Sequence, residues 1–233
     1  MIALGRHRPL VHDAWNESAA RTAIEDIAAD AVAHFDPDTF WPGHPSGEGE
    51  NDGDPSFYKG AAGVIWALDY LHRVGALSAA ADFRSVLPKL MERTIADFAA
   101  SSSAEYAKHG SLLRGDMGAA LLAMRLAPTP SMADLVYTRA EANNGLPIRE
   151  LMWGTPGHGT GGNGYAFLYR RTNDPICLDR ARQFAMTAIV QTRGAQAVAG
   201  RGRYSLWTGD VGLAIYLWDC ITGEPRFPTI DVF

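Results

Sequence analysis

The strongest constraint on this chain is a short phrase written four times, a Gly-x-x-Gly that opens an apolar run of helical character. The copies are Gly60-Ala-Ala-Gly63 before Val64 to Leu68, Gly115-Asp-Met-Gly118 before Ala119 to Leu122, Gly159-Thr-Gly-Gly162 before Tyr165 to Leu168, and Gly209-Asp-Val-Gly212 before Leu213 to Leu217. They recur at intervals of roughly 50 residues, the spacing of a repeated supersecondary unit. Glycine at a helix entry permits a positive φ in the turn and a close approach of one backbone to another. The runs behind the glycines are apolar nearly all round, which predicts inner helices with protein on every side.

A second kind of segment carries a stripe instead. Leu87, Leu90, Met91, Ile95 and Phe98 fall on one helical face, with Arg84, Lys89 and Asp97 off it. Leu178, Ala181, Phe184, Ala185, Ala188 and Ile189 repeat the pattern, and Ile24, Ile27, Ala31 and Phe35 give Ala23 to Phe35 the same character ahead of the first repeat. Strand signals, alternating β-branched residues closed by Asn-Gly or Asp-Gly turns, are nearly absent. The expected fold is all-α, an α/α toroid of inner and outer helices or a shortened part of one. It reads as a single domain over residues 1–233, with residues 1–55 holding the first outer helix and a Gly/Pro-rich loop. The stretch Trp41 to Asp54 is polar and rich in Gly and Pro, and it reads as a surface loop rather than a domain linker.

Composition narrows the function classes. A hydrophobic content of 47% with 20% charged residues is that of a globular chain. A formal net charge of −5 offers no basic field for nucleic acid. No apolar run approaches the ~20 residues of a membrane span. Met1 to Pro9 has basic residues with no apolar core behind them, which predicts no signal peptide. Two cysteines, Cys177 and Cys220, make no disulfide framework, so a reducing cytoplasm is the expected location.

One motif is more specific. Gly157-His158-Gly159-Thr-Gly-Gly-Asn163-Gly164-Tyr165-Ala166-Phe167-Leu168 resembles the Cys-His-Gly-x-(Ala/Gly)-Gly-Asn-(Gly/Ala)-Tyr-Ala-Phe-Leu signature of the lanthionine synthetase C-like (LanC-like) family. Tyr204-Ser-Leu-Trp-Thr-Gly209-Asp-Val-Gly212, closing with Arg226-Phe-Pro228, resembles that family's last repeat, and Ser56 to Gly60 and Leu112 to Asp116 resemble its first two. The resemblance implies a double ring of seven inner and seven outer helices. It implies a zinc ion that activates a cysteine thiol for addition to dehydroalanine or dehydrobutyrine in a peptide. Zinc suits this step because it deprotonates a bound thiol outright while leaving it reactive. In the family the zinc is held by a Cys in a Trp-Cys-x-Gly-x-Pro-Gly motif and by a Cys-His pair, and a middle-repeat His does acid/base work.

The chain departs from that pattern at one joint. Glu150 to Gly157 resembles the entry to the family's third repeat, and His158 to Gly162 resembles the sixth, with no room for a helix between them. About three units of roughly 50 residues are missing there, a repeat junction at Gly157–His158 best explained by an internal deletion. The chemistry leaves with them. Gly157 stands at the second zinc cysteine, Gly154 stands where the Trp-Cys motif would have its thiol, and the middle-repeat His has no counterpart. His158 is the one remnant metal ligand.

Other candidates are weaker. Cys177 and Cys220 are expected on the rim opposite His158, as small buried thiols. His109 falls on the same rim as His158, and a pairing with Asp116 or Asp210 is conceivable. Asp116 and Asp210 share the second position of their motifs, where a carboxylate meets the positive end of the helix dipole; the alternative is a pair of acid/base carboxylates, as in carbohydrate-active toroids. Trp66, Tyr165, Tyr216 and Trp218 read as core filling before they read as a sugar platform.

Three functions follow as expectations. The first is a LanC-like protein whose family activity is lost or weakened, with zinc absent or weakly held. The second is a non-catalytic module whose rim, with Arg114, Asp116, His158, Asn163 and Asp210, binds a peptide or a small thiol such as glutathione. The third is a carbohydrate-active toroid. Removing units from a ring would bare inner-helix faces, so self-association is also expected.

Overall fold

A computed structural model describes residues 14–45, 52–100, 116–131, 134, 166, 169–226, 228 and 231–232, with the backbone alone at 97–100 and 116–117. Six α-helices are bounded within them: α1 Glu17–Ala33, α2 Ala61–Arg73, α3 Leu87–Ala100, α4 Asp116–Leu126, α5 Pro175–Ala199 and α6 Asp210–Thr222. A single 3-10 turn, Arg84–Val86, leads into α3. Among the described residues no strand forms beyond two isolated bridges, and no helix is long and apolar enough to cross a membrane. The expected all-α class therefore holds.

Three of the four Gly-x-x-Gly motifs open a helix in the same register. α2, α4 and α6 each begin at the second residue of the motif. The run in α2 is buried from Ala61 to Leu68 and again at Tyr70 and Leu71. Val211, Ala214, Ile215, Tyr216, Leu217, Asp219 and Cys220 are buried in α6. α2 packs against both α4 and α6, while α1 and α5 pack on α6 and α3 packs on α4. Apolar helices thus lie next to one another, and striped helices cover them. The fourth motif, Gly159 to Gly162, lies outside the described residues, as does the joint at Gly157–His158. Residues 166 and 169–172, which follow it, are helical.

The stripes are buried in part. On α5 Ala181, Ala185 and Ile189 are buried as predicted, with Cys177 beside them, while Leu178, Phe184 and Ala188 are half-buried, as is Phe35 after α1. On α3, Leu87, Leu90 and Met91 are buried, but Ile95 is 40% exposed and Thr94 takes the inward place. The polar side chain is tolerated because Thr94 Oγ1 donates to the Leu90 carbonyl at 2.7 Å, so its hydroxyl enters the core already paired. α1 begins six residues earlier than the stripe suggested, at a cap in which Asn16 Oδ1 accepts the Ala19 amide at 2.9 Å.

The Trp41–Asp54 loop is more than a surface loop. Trp41 is 4% exposed, and its indole N–H donates to the Ala31 carbonyl of α1 at 2.6 Å. His44 is also buried. Asp52 Oδ1 accepts the Gly43 amide and the Trp41 carbonyl accepts that of Gly53, which ties the two ends of the loop together. Phe40, ahead of it, is buried at a positive φ of 63°. Its hairpin-like bridge to Asp36 holds that unfavourable conformation in place. A loop rich in Gly and Pro was legible as irregular backbone, but the pattern gave no sign that two aromatic side chains would anchor it.

Candidate functional site

Among the described residues, the candidates Asp116 and Asp210 stand where helices begin. Two helix entries, those of α2 and α6, are described in full, and they are built alike. The Asp54 carbonyl accepts the Ala61 amide at 2.7 Å, and the Arg203 carbonyl accepts the Asp210 amide at 2.8 Å. Ser56 Oγ accepts the Lys59 amide in the first entry, and in the second Ser205 Oγ meets Thr208 Oγ1 at 3.1 Å. Both glycine caps, Gly60 and Gly209, have extended backbones, with φ of −127° and −118°. The positive φ expected at these positions is therefore not what selects glycine.

Space selects it. A Cβ on Gly63 would lie 2.1 Å from the Phe57 carbonyl oxygen, and one on Gly212 would lie 2.1 Å from that of Leu206. Phe57 and Leu206 are equivalent positions, as are Tyr58 and Trp207, and these last two meet. The Trp207 amide donates to the Tyr58 carbonyl at 3.3 Å, and the two rings lie 4.9 Å apart, centroid to centroid. First and fourth repeats are thus neighbours, joined through corresponding residues.

Asp210 opens α6, but it does not cap it in the expected way. Its Oδ2 turns back to accept the Arg203 amide at 3.1 Å and the Gln196 side-chain amide at 3.0 Å. Burial pushes its carboxyl above the usual carboxylate range. The Arg203 and Gln196 donors pull it down, the charge of Asp30 raises it, and His44 lowers it. Asp30 was not foreseen. From α1 its Oδ2 accepts the Gly202 amide at 2.9 Å and the Tyr204 hydroxyl at 2.8 Å, while Oδ1 lies 3.3 Å from His34 Nδ1. A Cβ on Gly202 would lie 2.6 Å from the Asp30 oxygen and 2.7 Å from the Asp210 oxygen, so only glycine lets the two carboxylates converge. Burial and the bond to Asp30 raise the Tyr204 phenol.

This arrangement fastens α1 to the entry of α6, and it leaves Asp30 Oδ2 and Asp210 Oδ2 committed to donors of the fold. Asp30 could have been suspected from sequence only as a polar residue on the last turns of an otherwise apolar-striped helix. Beside the cluster, Trp41, Gly43, Asp54, Lys59, Gly60 and Tyr204 line a small polar cleft open to solvent.

The remaining candidates are placed as follows. Asp116 starts α4, as its motif predicts, but its side chain lies outside the description. Arg114, His109, Gly154, Gly157, His158, Asn163 and Tyr165 also lie outside the described residues. Trp66 is fully buried and stacks on Tyr70 at 5.2 Å, and Tyr216 is buried with its hydroxyl donating to the Ala181 carbonyl. Both fill the core. Trp218 is half-buried under the Arg21 guanidinium at 5.3 Å.

Cys177 and Cys220 are both buried free thiols. Cys220 lies about 15 Å along α6 from Asp210, at 1.5 Å rise per residue. Cys177 begins α5, whose far end reaches Asp210 through Gln196. Both thiols are therefore remote from the entry of α6, and their place relative to His158 lies outside the described residues. Burial pushes the Cys220 thiol up to about 12. Among the described residues no group of three or more His, Cys, Asp or Glu side chains could hold one metal ion. No protein-family model, no curated protein and no solved structure matches this chain.

Proposed function

We propose that this chain is a LanC-like protein by descent whose zinc-dependent thiol addition is lost or weakened. The observation that supports descent is the pair of helix entries. Two Gly-x-x-Gly segments that resemble the family's first and last repeats fold alike and lie side by side through Tyr58 and Trp207. Contact between first and last units is what closing a ring of such units requires.

The residues present do not fit a catalytic zinc. Such a site takes three protein ligands and an open position. Gly154 and Gly157 occupy the places of the family's cysteines, leaving His158. Cys177 and Cys220 are both buried, at the far ends of their helices from Asp210. A thiol held protonated by burial, as Cys220 is, also makes a poor thiolate donor. A scaffold without its metal retains the helix-entry rim as a surface for binding. The second reading, a peptide- or small-thiol-binding module, stands ahead of the carbohydrate one, because Asp210 Oδ2 is committed to Arg203 and Gln196.

The test is zinc per chain by elemental analysis after chelator-free gel filtration, paired with an assay of glutathione addition to a dehydroalanine peptide. Substoichiometric zinc and no thioether product are expected. One zinc per chain with thioether formation would overturn the loss of catalysis. An experimental structure that placed the helix following Gly159 away from α6 would overturn the descent.

A further inference from the structure

Asp30 and Asp210 reach the same place from two helices, the first from the last turn of α1 and the second from the start of α6. A Cβ on Gly202 would lie 2.6 Å from one Oδ2 and 2.7 Å from the other, so the two oxygens face each other across the room of a single methyl group. The donors that hold them are neutral. Asp30 Oδ2 takes the Gly202 amide and the Tyr204 hydroxyl, and Asp210 Oδ2 takes the Arg203 amide and the Gln196 carboxamide. Such donors satisfy a carboxylate without cancelling its charge.

Every element at this junction brings charged or titratable groups. α1 adds His34, whose Nδ1 lies 3.3 Å from Asp30 Oδ1, and Asp26, which pairs with Arg193 of α5. The loop after α1 adds His44, whose charge reaches Asp210. The entry of α2 adds Asp54 and Lys59 beside the cleft. The turn before α6 adds Arg203, Tyr204 and Arg201, whose Nη2 donates to the Gly43 carbonyl at 2.8 Å. Two like charges placed this close favour a state in which one carboxyl keeps its proton. Asp210 is the one that keeps it, raised first by burial and again by the Asp30 charge, against the pull of its two donors and of His44. Asp30 has the freedom to move. Its side chain is 26% exposed, with His34 beside it.

We propose that the pair is a proton-governed clasp between α1 and the entry of α6. With a proton on Asp210 the repulsion is gone, and Asp30 holds the Gly202 amide and the Tyr204 hydroxyl. When that proton leaves to solvent, two carboxylates oppose each other, Asp30 turns toward His34, and Gly202 and Tyr204 are released. Tyr204 lines the polar cleft, so the clasp also governs that wall. A carboxyl raised in the folded state binds its proton more tightly there than in the unfolded chain. The clasp is therefore closed at low pH and opens as pH rises through the folded midpoint of Asp210.

Amide NMR of the full chain from about pH 4 upward tests this, because each carboxylate has its own backbone reporter. The Arg203 amide shift follows Asp210, and exchange of the Gly202 amide, corrected for its intrinsic pH dependence, follows the hold of Asp30. In wild type the Arg203 midpoint is expected above the usual aspartate value of about 3.9. Gly202 protection is expected to fall through that same midpoint, by up to roughly tenfold per pH unit. Asp30→Asn is expected to lower the Arg203 midpoint by about one pH unit. Asp210→Asn, neutral throughout, is expected to keep Gly202 protected at every pH. Gly202 protection that ignores the Arg203 midpoint overturns the clasp, and wild type alone decides this should either variant fail to fold. An Arg203 midpoint that Asp30→Asn leaves in place overturns it as well, since the two carboxylates would then not be coupled.

Discussion

At the scale of single residues, the glycines of this fold fall into two kinds that ordinary sequence reading cannot separate. Gly63 and Gly212 sit within helices at unexceptional backbone angles, yet a methyl group on either would meet a backbone oxygen 2.1 Å away. Backbone carbonyls at the root of an adjoining loop cannot swing aside as a long side chain can. Gly63→Ala and Gly212→Ala are each expected to lose about 1–3 kcal/mol or more, read as a lower urea midpoint at unchanged slope. Gly194, in the middle of α5, has nothing within 4 Å of its virtual Cβ. Gly194→Ala is therefore expected to gain up to about 1 kcal/mol from helix propensity. Equal effects at the three positions would mean that the entries are not built as described. The recurrence of these glycines was visible in the sequence, but the reason for it was not, because a close approach depends on where the preceding loop goes. The same limit hid Asp30, whose role exists only once α1 and the Gly202–Tyr204 turn have met.

Elements were more legible than residues. An apolar run behind a glycine pair, or a stripe at helical spacing, is a local signal that burial then reads out, so α2, α4, α5 and α6 emerge where the pattern puts them. Helix starts are governed by single side chains outside the periodic core, which is why α1 begins before its stripe. Asn16 caps α1, and Asp174 caps α5 by accepting the Ile176 amide at 3.0 Å just before a proline in the first turn. Each cap satisfies an amide that the helix itself leaves without a partner. Asn16→Ala and Asp174→Ala are each expected to lose about 1 kcal/mol in chemical denaturation. If Asp174→Ala loses nothing, Pro175, which fixes the first helical φ, is sufficient on its own to start α5.

At the scale of the molecule, α6 holds the arrangement together. It carries α1 and α5 on its flanks and touches α2, which in turn touches α4 and its cover α3. The group α1–α5–α6 gathers helices from both ends of the described chain around α2–α3–α4, and the two are joined by the α2–α6 contact and by the Tyr58–Trp207 seam. Whether they unfold together depends on how that junction compares with the cores on either side. The fully buried stretch Ala61 to Ala67 of α2 argues for one unit, because part of that surface is covered from the α6 side, as the 3.0 Å approach of Leu206 to the Cβ position at Gly63 indicates. Ile24 is fully buried on α1, and Ile24→Ala is expected to lose about 2–5 kcal/mol. The informative reading is whether that loss crosses the seam. Far-UV circular dichroism, which follows all the helices, and backbone hydrogen exchange within α2, which follows the second group alone, are expected to register the same loss, as one cooperative transition requires. A loss seen by circular dichroism, with exchange in α2 holding its wild-type value, would make the two groups independent units that merely touch. In that case corresponding residues would meet at the seam without the mutual burial that binds repeated units into one body.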